Sequence, residues 1–178
     1  EAFFWLNDAK IVNCCYNSTA PNIGLKLNEE RTTLKCYMGD TGLLISHAFD
    51  ERGIVTDELY QKLLFGKLEV NSGMLVENIV AQMLRAAGHK LYFYSKNTND
   101  SSEDRMEIDF LIAKPTITSR HNISPIEVKS GNYRGHKSLD VFCDKFSSRI
   151  RDKYVVHTKD YKRENGIIYI PIYMVPFI

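Results

Sequence analysis

Two segments in the second half of the chain alternate apolar and charged residues with the period of a β-strand. Segment 105–114 (RMEIDFLIAK) places Asp109 on its charged side, and segment 124–131 (SPIEVKSG) places Glu127 and Lys129 there. Residues i and i+2 lie about 6.7 Å apart on one side of a strand, so Glu127 and Lys129 project together. The apolar face of the first segment is expected to comprise Met106, Ile108, Phe110 and Ile112.

These charged residues have the types needed for metal-dependent phosphoryl chemistry. If the two strands pair as a hairpin, Asp109 lies beside Glu127, and the two carboxylates repel each other unless a cation separates them. Mg²⁺ or Mn²⁺ suits oxygen ligands and keeps waters for a phosphate. Lys129 would then hold a scissile phosphate or orient the attacking water. Glu77 could add a third carboxylate from the preceding helix, and Glu107 is an alternative to Asp109 on the same face.

Each of these residues also has a purely structural interpretation. Glu127 and Lys129 could form a surface ion pair worth about 0–1 kcal/mol. Asp109 could be an ordinary polar residue near the end of a strand. Glu77 could stabilise its helix through the helix dipole.

The elements that must position these residues follow a definite order. We predict a helix at 74–88 ending at Gly88, strands at 90–95, 105–114 and 124–131, a helix at 136–148, and strands at 153–157 and 167–174. Pro171 predicts that the last strand lies at a sheet edge. This order of helix, three strands, helix and strand indicates an α/β fold with a mixed sheet, built from residues 71–178.

Residues 1–70 are predicted to form a small N-terminal α+β extension. A short helix precedes strands at 11–16 and 34–38, and Asp40 is placed to cap a following helix. The hairpin could derive from a winged-helix unit or be a simple flanking elaboration. A charged helix and turn over 51–73 carries no chemistry that we assign.

Five segments in this order resemble a known family. They are WLNDAKIV, YMGDTGLL, GMLVENIVAQML, EIDFLI and PIEVKSG, and they span about residues 4–146. The pattern of a helical Glu, a strand Asp and a following Glu-x-Lys is similar to the PD-(D/E)XK nuclease superfamily. The wider string resembles the uncharacterised C-terminal domain, a domain of unknown function, that follows the ATPase module of many prokaryotic AAA+-like proteins.

The resemblance implies a restriction endonuclease-like core and roles for four residues. Asp109 and Glu127 would be metal ligands, Lys129 the phosphate-orienting base or electrostatic stabiliser, and Glu77 an outer ligand through water. Ile108 departs from the proline that the superfamily often has before this Asp. The implied partners are DNA and an ATPase module in a longer parent chain. The alternative is an inactive nuclease-fold module that binds DNA or protein and targets the ATPase.

Composition restricts the partners further. The 178 residues carry 23 Lys and Arg against 22 Asp and Glu, so no global charge attracts nucleic acid or membrane. Residues 129–163 nevertheless hold ten basic and four acidic residues, and Arg134 and Lys137 are candidates for gripping phosphates near the site.

Other sequence signals are mostly negative. No apolar run is long enough to span a bilayer, and no nucleotide-phosphate loop motif occurs. The four cysteines have no metal-ligand spacing and indicate reduced thiols of a cytoplasmic protein. The chain opens on Glu1 without a start Met, and we interpret it as a fragment or a processed chain.

Overall fold

The computed structural model describes residues 2–22, 24–49, 72–96, 106–113, 122–131 and 135–178. Most of the predicted helix and turn at 51–73 lies outside these ranges, as does Arg134. No helix within them is both long enough and apolar enough to cross a membrane.

The described residues form an α/β fold around one mixed sheet of eight strands, in the order β2-β1-β3-β4-β5-β6-β8-β7. The strands are β1 Val12–Ser18, β2 Glu29–Met38, β3 Tyr92–Lys96, β4 Met106–Ala113, β5 Ile123–Val128, β6 Lys153–His157, β7 Lys162–Glu164 and β8 Ile167–Pro171. The α-helices in these ranges are α1 Ala2–Asp8, α2 Thr41–Phe49, α3 Ser72–Ala86 and α4 Lys137–Lys145. Short 3-10 segments occur at Leu25–Asn28, Ser147–Arg149 and Ile172–Phe177.

The order α3, β3, β4, β5, α4, β6 matches the predicted order of helix, three strands, helix and strand. Helix α3 ends where predicted, since Gly88 has a φ of 91°, a left-handed conformation that favours glycine. The C-terminal strand is shorter than predicted, because the chain turns into a 3-10 segment after Pro171.

The sheet separates two hydrophobic cores. The first core lies against α3 and includes Val80, Ala81 and Leu84 of that helix. The second core lies against α4 and includes Leu139, Phe142 and Cys143. Strand residues alternate between the two cores, which explains why the central strands are apolar on both faces.

The N-terminal segment extends this same sheet. β1 pairs antiparallel with β2 and parallel with β3, where Tyr16 lies opposite Tyr92. Asp40 accepts a hydrogen bond from the backbone N–H of Leu43 at 3.0 Å, as expected of a helix cap. The first core contains Cys15 and Tyr37 from this segment, so residues N-terminal to α3 contribute directly to the interior.

A bulge in β4 changes the predicted alternation. Tyr92 and Tyr94 of β3 pair with Leu111 and Ile108 of β4, so β4 has one extra residue between its two partners. Met106 and Ile108 face the second core, whereas Phe110 and Ile112 face the first. The prediction of one apolar face for these four residues was therefore wrong, because an extra residue reverses every later side chain.

The predicted edge position of the last strand was also wrong. β8 lies between β6 and the short strand β7, which the sequence analysis did not predict. Pro171 pairs with His157 of β6, but the β7 ladder ends at Tyr169. The proline is tolerated because β7 does not extend far enough to need its missing N–H.

Candidate functional site

Asp109 lies in the β4 bulge, at the point where β4 separates from β5. The β4–β5 ladder ends at Phe110 paired with Ile126, which leaves Asp109 and Glu127 at the next position of the two strands. The Oδ2 atom of Asp109 accepts a hydrogen bond of 2.7 Å from the backbone N–H of Val128. The predicted hairpin therefore exists, and the side chain of Asp109 fills the fork between its strands.

The carboxyl of Asp109 is short of compensating positive charge. Burial, then repulsion from Glu77 and Glu127, raises its pKa to about 7, despite the hydrogen bond from Val128 and the nearby Lys35 amine. Only 22% of the side chain is exposed. A carboxylate in this environment is stabilised by an additional cation.

Glu127 and Lys129 form a close ion pair. The Nζ atom of Lys129 lies 2.6 Å from Oε1 of Glu127, as expected for residues two apart on one side of an extended chain. Glu127 is 7% exposed, and its other oxygen, Oε2, is buried with no hydrogen-bond partner among the described residues. A buried carboxylate oxygen without a donor is costly, so this atom calls for an explanation.

Glu77 is held by partners from β2. Its Oε1 atom accepts hydrogen bonds from the Tyr37 hydroxyl and, at 3.1 Å, from the Lys35 amine. Glu77 belongs to α3 on the first-core side of the sheet. Ile126 and Val128 also face the first core, so strand alternation directs Glu127 to the opposite side.

Lys35 is a central residue that the sequence analysis missed. Its Nζ lies 2.6 Å from Glu107, 3.1 Å from Glu77 and 4.0 Å from Asp109. Although burial acts to lower it, the pKa of Lys35 is raised by these carboxylates, with Glu77 the largest contributor. The amine also lies 5.3 Å from the ring centre of Phe93. Glu107, weighed above as an alternative to Asp109, therefore pairs with a lysine.

Two of the three predicted ligands carry oxygen donors of the kind that Mg²⁺ prefers. Across the described ranges, no three His, Cys, Asp or Glu side chains come close enough together to hold a metal ion, so Glu77, Asp109 and Glu127 do not form a ready ligand set. Asp109 and Glu127 together supply oxygen donors, and the unpartnered Oε2 of Glu127 is one of them. Mg²⁺ is commonly held by one or two carboxylates together with waters and a substrate phosphate, so the chemistry of these two side chains suits such an ion.

The structure says little about the two predicted phosphate-binding residues, Arg134 and Lys137. Arg134 lies outside the described residues, and Lys137 is exposed at the first position of α4. Their role in binding DNA stays a prediction.

Comparison with known proteins places the chain in a family. The family model described as "Domain of unknown function (DUF4143)" matches residues 72–175, from the start of α3 to the C-terminal 3-10 segment. No curated protein and no solved structure matches the chain. The matched segment contains Glu77, Asp109, Glu127 and Lys129 but not Lys35. Since the match covers 104 of the 178 residues, the chain belongs to the DUF4143 family, whose function is unknown.

Proposed function

We propose that this protein contains a metal-dependent nuclease-like domain that acts on DNA, with its site at Asp109, Glu127 and Lys129. The observation that carries the proposal is the buried Oε2 of Glu127, which has no hydrogen-bond partner among the described residues, on the strand next to Asp109, whose pKa burial raises to about 7. Both features are relieved by a divalent cation at the fork between β4 and β5. Glu77 is assigned no direct contact with that cation.

The division of roles follows from the contacts of each side chain. Asp109 and Glu127 would hold Mg²⁺ or Mn²⁺, which supplies charge stabilisation and a more acidic bound water when present. Lys129 is held by Glu127 at 2.6 Å with about a quarter of its side chain exposed, and its positive charge could bind a phosphodiester oxygen. Hydrolysis would add a water oxygen to phosphorus and break one P–O bond of the DNA backbone.

The fold and the charge distribution support the same proposal. The order of helix, three strands, helix and strand is the one expected from the resemblance to restriction endonuclease-like proteins, in which a strand Asp and a following Glu-x-Lys carry the chemistry. The basic block of residues 129–163 follows directly after the site in the chain, and Lys137 and Arg134 within it are proposed to bind backbone phosphates. From the family resemblance we also propose an ATPase module as the functional partner.

A cleavage assay tests the proposal. The purified chain is incubated with plasmid and with labelled oligonucleotides in Mg²⁺ or Mn²⁺, with EDTA in a parallel reaction. We expect metal-dependent cleavage that Asp109→Asn and Lys129→Met each reduce at least a hundredfold. Lys162→Met is the matched control, because Lys162 pairs with Glu164 at the same spacing on an exposed strand. Cleavage that survives Lys129→Met or persists in EDTA would refute the proposal.

A second candidate is a nuclease-fold module that binds DNA without cutting it. It is favoured by the ion pairs that already occupy Lys129 and Glu77, which leave fewer groups free for catalysis. This candidate predicts DNA binding that weakens steeply with salt and no turnover at any metal concentration. Binding measured by fluorescence anisotropy alongside the cleavage assay separates the two.

A further inference from the structure

We propose that Cys14 and Cys36 form a site of reversible oxidation, at which a peroxide converts the two thiols to a disulfide that joins β1 to β2. This inference is independent of the proposed metal site and of any action on DNA. The product is a cross-link within the N-terminal hairpin, which stabilises the folded chain and is removed by a thiol reductant.

The register of the hairpin places the two cysteines directly opposite each other. Cys14 of β1 pairs with Cys36 of β2 in an antiparallel ladder. The backbone N–H of Gly39 donates a hydrogen bond of 2.8 Å to the carbonyl of Ile11, which makes these two opposite residues a hydrogen-bonded pair. Hydrogen-bonded and non-hydrogen-bonded pairs alternate along such a ladder, and the cysteines lie three positions further along it. They are therefore a non-hydrogen-bonded pair.

The backbone of Cys14 agrees with this assignment. Its N–H points away from β2 and donates a hydrogen bond of 3.0 Å to the Oδ1 atom of Asn7 in α1. Opposite Cα atoms in a non-hydrogen-bonded pair lie about 4.5 Å apart, with their side chains close together. Disulfides span Cα separations of about 4.4–6.8 Å, so the two thiols can join without a movement of either strand.

The two thiols differ in exposure, which gives the order of the steps. Cys36 is exposed, whereas Cys14 is only 6% exposed. Burial raises the pKa of both thiols, and each side chain is also among the groups that act on the pKa of the other. The thiolate is the reacting form, so the oxidation is faster at higher pH. Cys36 meets the peroxide first, and Cys14 is the neighbouring thiol that resolves the product.

The reaction is a two-electron oxidation of the protein and a reduction of the peroxide. The Cys36 thiolate attacks one oxygen of hydrogen peroxide, which breaks the O–O bond and leaves a sulfenic acid and hydroxide. The Cys14 sulfur then attacks the Cys36 sulfur, and the hydroxyl group leaves with the Cys14 proton as water. In total, two thiols and one peroxide give one disulfide and two waters.

The other two cysteines of the chain are not placed for this chemistry. Cys15 is fully buried in the first core, on the opposite face of β1 from Cys14. Cys143 is 2% exposed and lies in the second core. All four cysteines are free, so the pairing is a property of the hairpin register and not of the number of thiols.

The cross-link fixes β2 at a residue that lies between two contacts with α3. Lys35 and Tyr37 flank Cys36 and both donate hydrogen bonds to Glu77 from the other face of the strand. A disulfide restricts the unfolded chain more than the folded one. We therefore expect the oxidised protein to keep the hairpin, and its contacts with α3, to a higher temperature than the reduced protein.

Oxidation of the full chain with hydrogen peroxide at pH 8 tests the inference. Wild type is expected to lose two hydrogen atoms in mass, and a tryptic digest should contain peptide 11–26 linked to peptide 36–52, with fragmentation placing the link at Cys14. The Tm should rise by about 5–10 °C and return to its starting value in dithiothreitol.

Two variants control for the other thiols. Cys143→Ala keeps the opposed pair and should form the same link as wild type. Cys36→Ser, at an exposed position, should form no link and show no rise in Tm. A link through Cys15, a disulfide-linked dimer, or oxygen added to Cys36 without a link would overturn the inference, and so would a Cys14–Cys36 link that leaves the Tm unchanged.

Discussion

At the scale of single residues, the site is defined by which carboxylates are neutralised and which are not. Among the described residues, Glu77 and Glu107 have close lysine partners, the nearest lysine to Asp109 is 4.0 Å away, and one oxygen of Glu127 has no donor. The contact between Glu127 and Lys129 was predictable, because residues two apart in a strand project from the same side. Lys35 was not predictable, since no local pattern shows that β2 packs next to the acidic strand.

The raised pKa of Asp109 predicts how stability depends on pH. In metal-free buffer the folded carboxyl titrates near pH 7, whereas the unfolded one titrates near its ordinary pKa of about 4. Between these values the folded state binds more protons, so the free energy of unfolding falls as pH rises from about 4 to about 7. Asp109→Asn cannot ionise, so we expect it to be more stable than wild type at pH 8, by on the order of 2–4 kcal/mol.

Urea unfolding at pH 4.5 and pH 8 measures this difference. The two proteins should have similar stability at the lower pH, where Asp109 is protonated in the folded state. Asp144→Asn, on the exposed side of α4, is the control and should keep the wild-type decline. Equal stabilities of wild type and Asp109→Asn at pH 8 would contradict the assigned pKa.

At the scale of elements, the site is positioned by departures from regular hydrophobic periodicity in β4 and α3. The β4 bulge brings Asp109 to the fork and moves Phe110 and Ile112 to the first core. Periodicity predicted that this strand exists, but one extra residue leaves no clear sequence signal. Helix α3 was also predicted only in part. Its apolar face was evident from the sequence, but the buried Asn78 within it was not predicted.

We predict that truncating the Asn78 side chain causes a large loss of stability. Its Oδ1 accepts a hydrogen bond of 2.8 Å from the backbone N–H of Met38, and its Nδ2 donates to the Met38 carbonyl and to Thr41. These bonds attach α3 to the end of β2, close to Lys35 and Tyr37. Asn78→Ala removes these partners from the part-buried backbone groups of Met38 and from Thr41, so we expect a loss of about 2–4 kcal/mol.

Chemical denaturation measures this loss. Gln82→Ala is the comparison on the same helix, because Gln82 donates one hydrogen bond, of 2.7 Å to Thr41, within the part of the chain that the structure describes. It should cost about 1 kcal/mol. If Asn78→Ala costs no more than Gln82→Ala, the proposed attachment of α3 to β2 does not hold.

At the scale of the whole molecule, the N-terminal segment and the family-matched core form one sheet. The order of elements from α3 to β6 was predictable, because each has a clear hydrophobic period and clear end signals. How β1 and β2 join this sheet was not predictable, because β1 pairs with β3 through residues that are far apart in sequence, and no local pattern reveals such a pairing. The same long-range pairing brings Lys35 of β2 close to the acidic residues. The role of Lys35 and the position of β1 and β2 in the sheet were therefore missed for the same reason.

A divalent cation at Asp109 and Glu127 is the central proposal, and thermal unfolding with and without Mn²⁺ tests it directly. A ligand at a hundred times its Kd adds about 2.7 kcal/mol, which for a chain of this size raises the Tm by about 5–10 °C. We predict this rise in wild type and in the exposed control Glu164→Gln, and its absence in Asp109→Asn and Glu127→Gln. An equal rise in all four proteins, or none in wild type, would contradict the account.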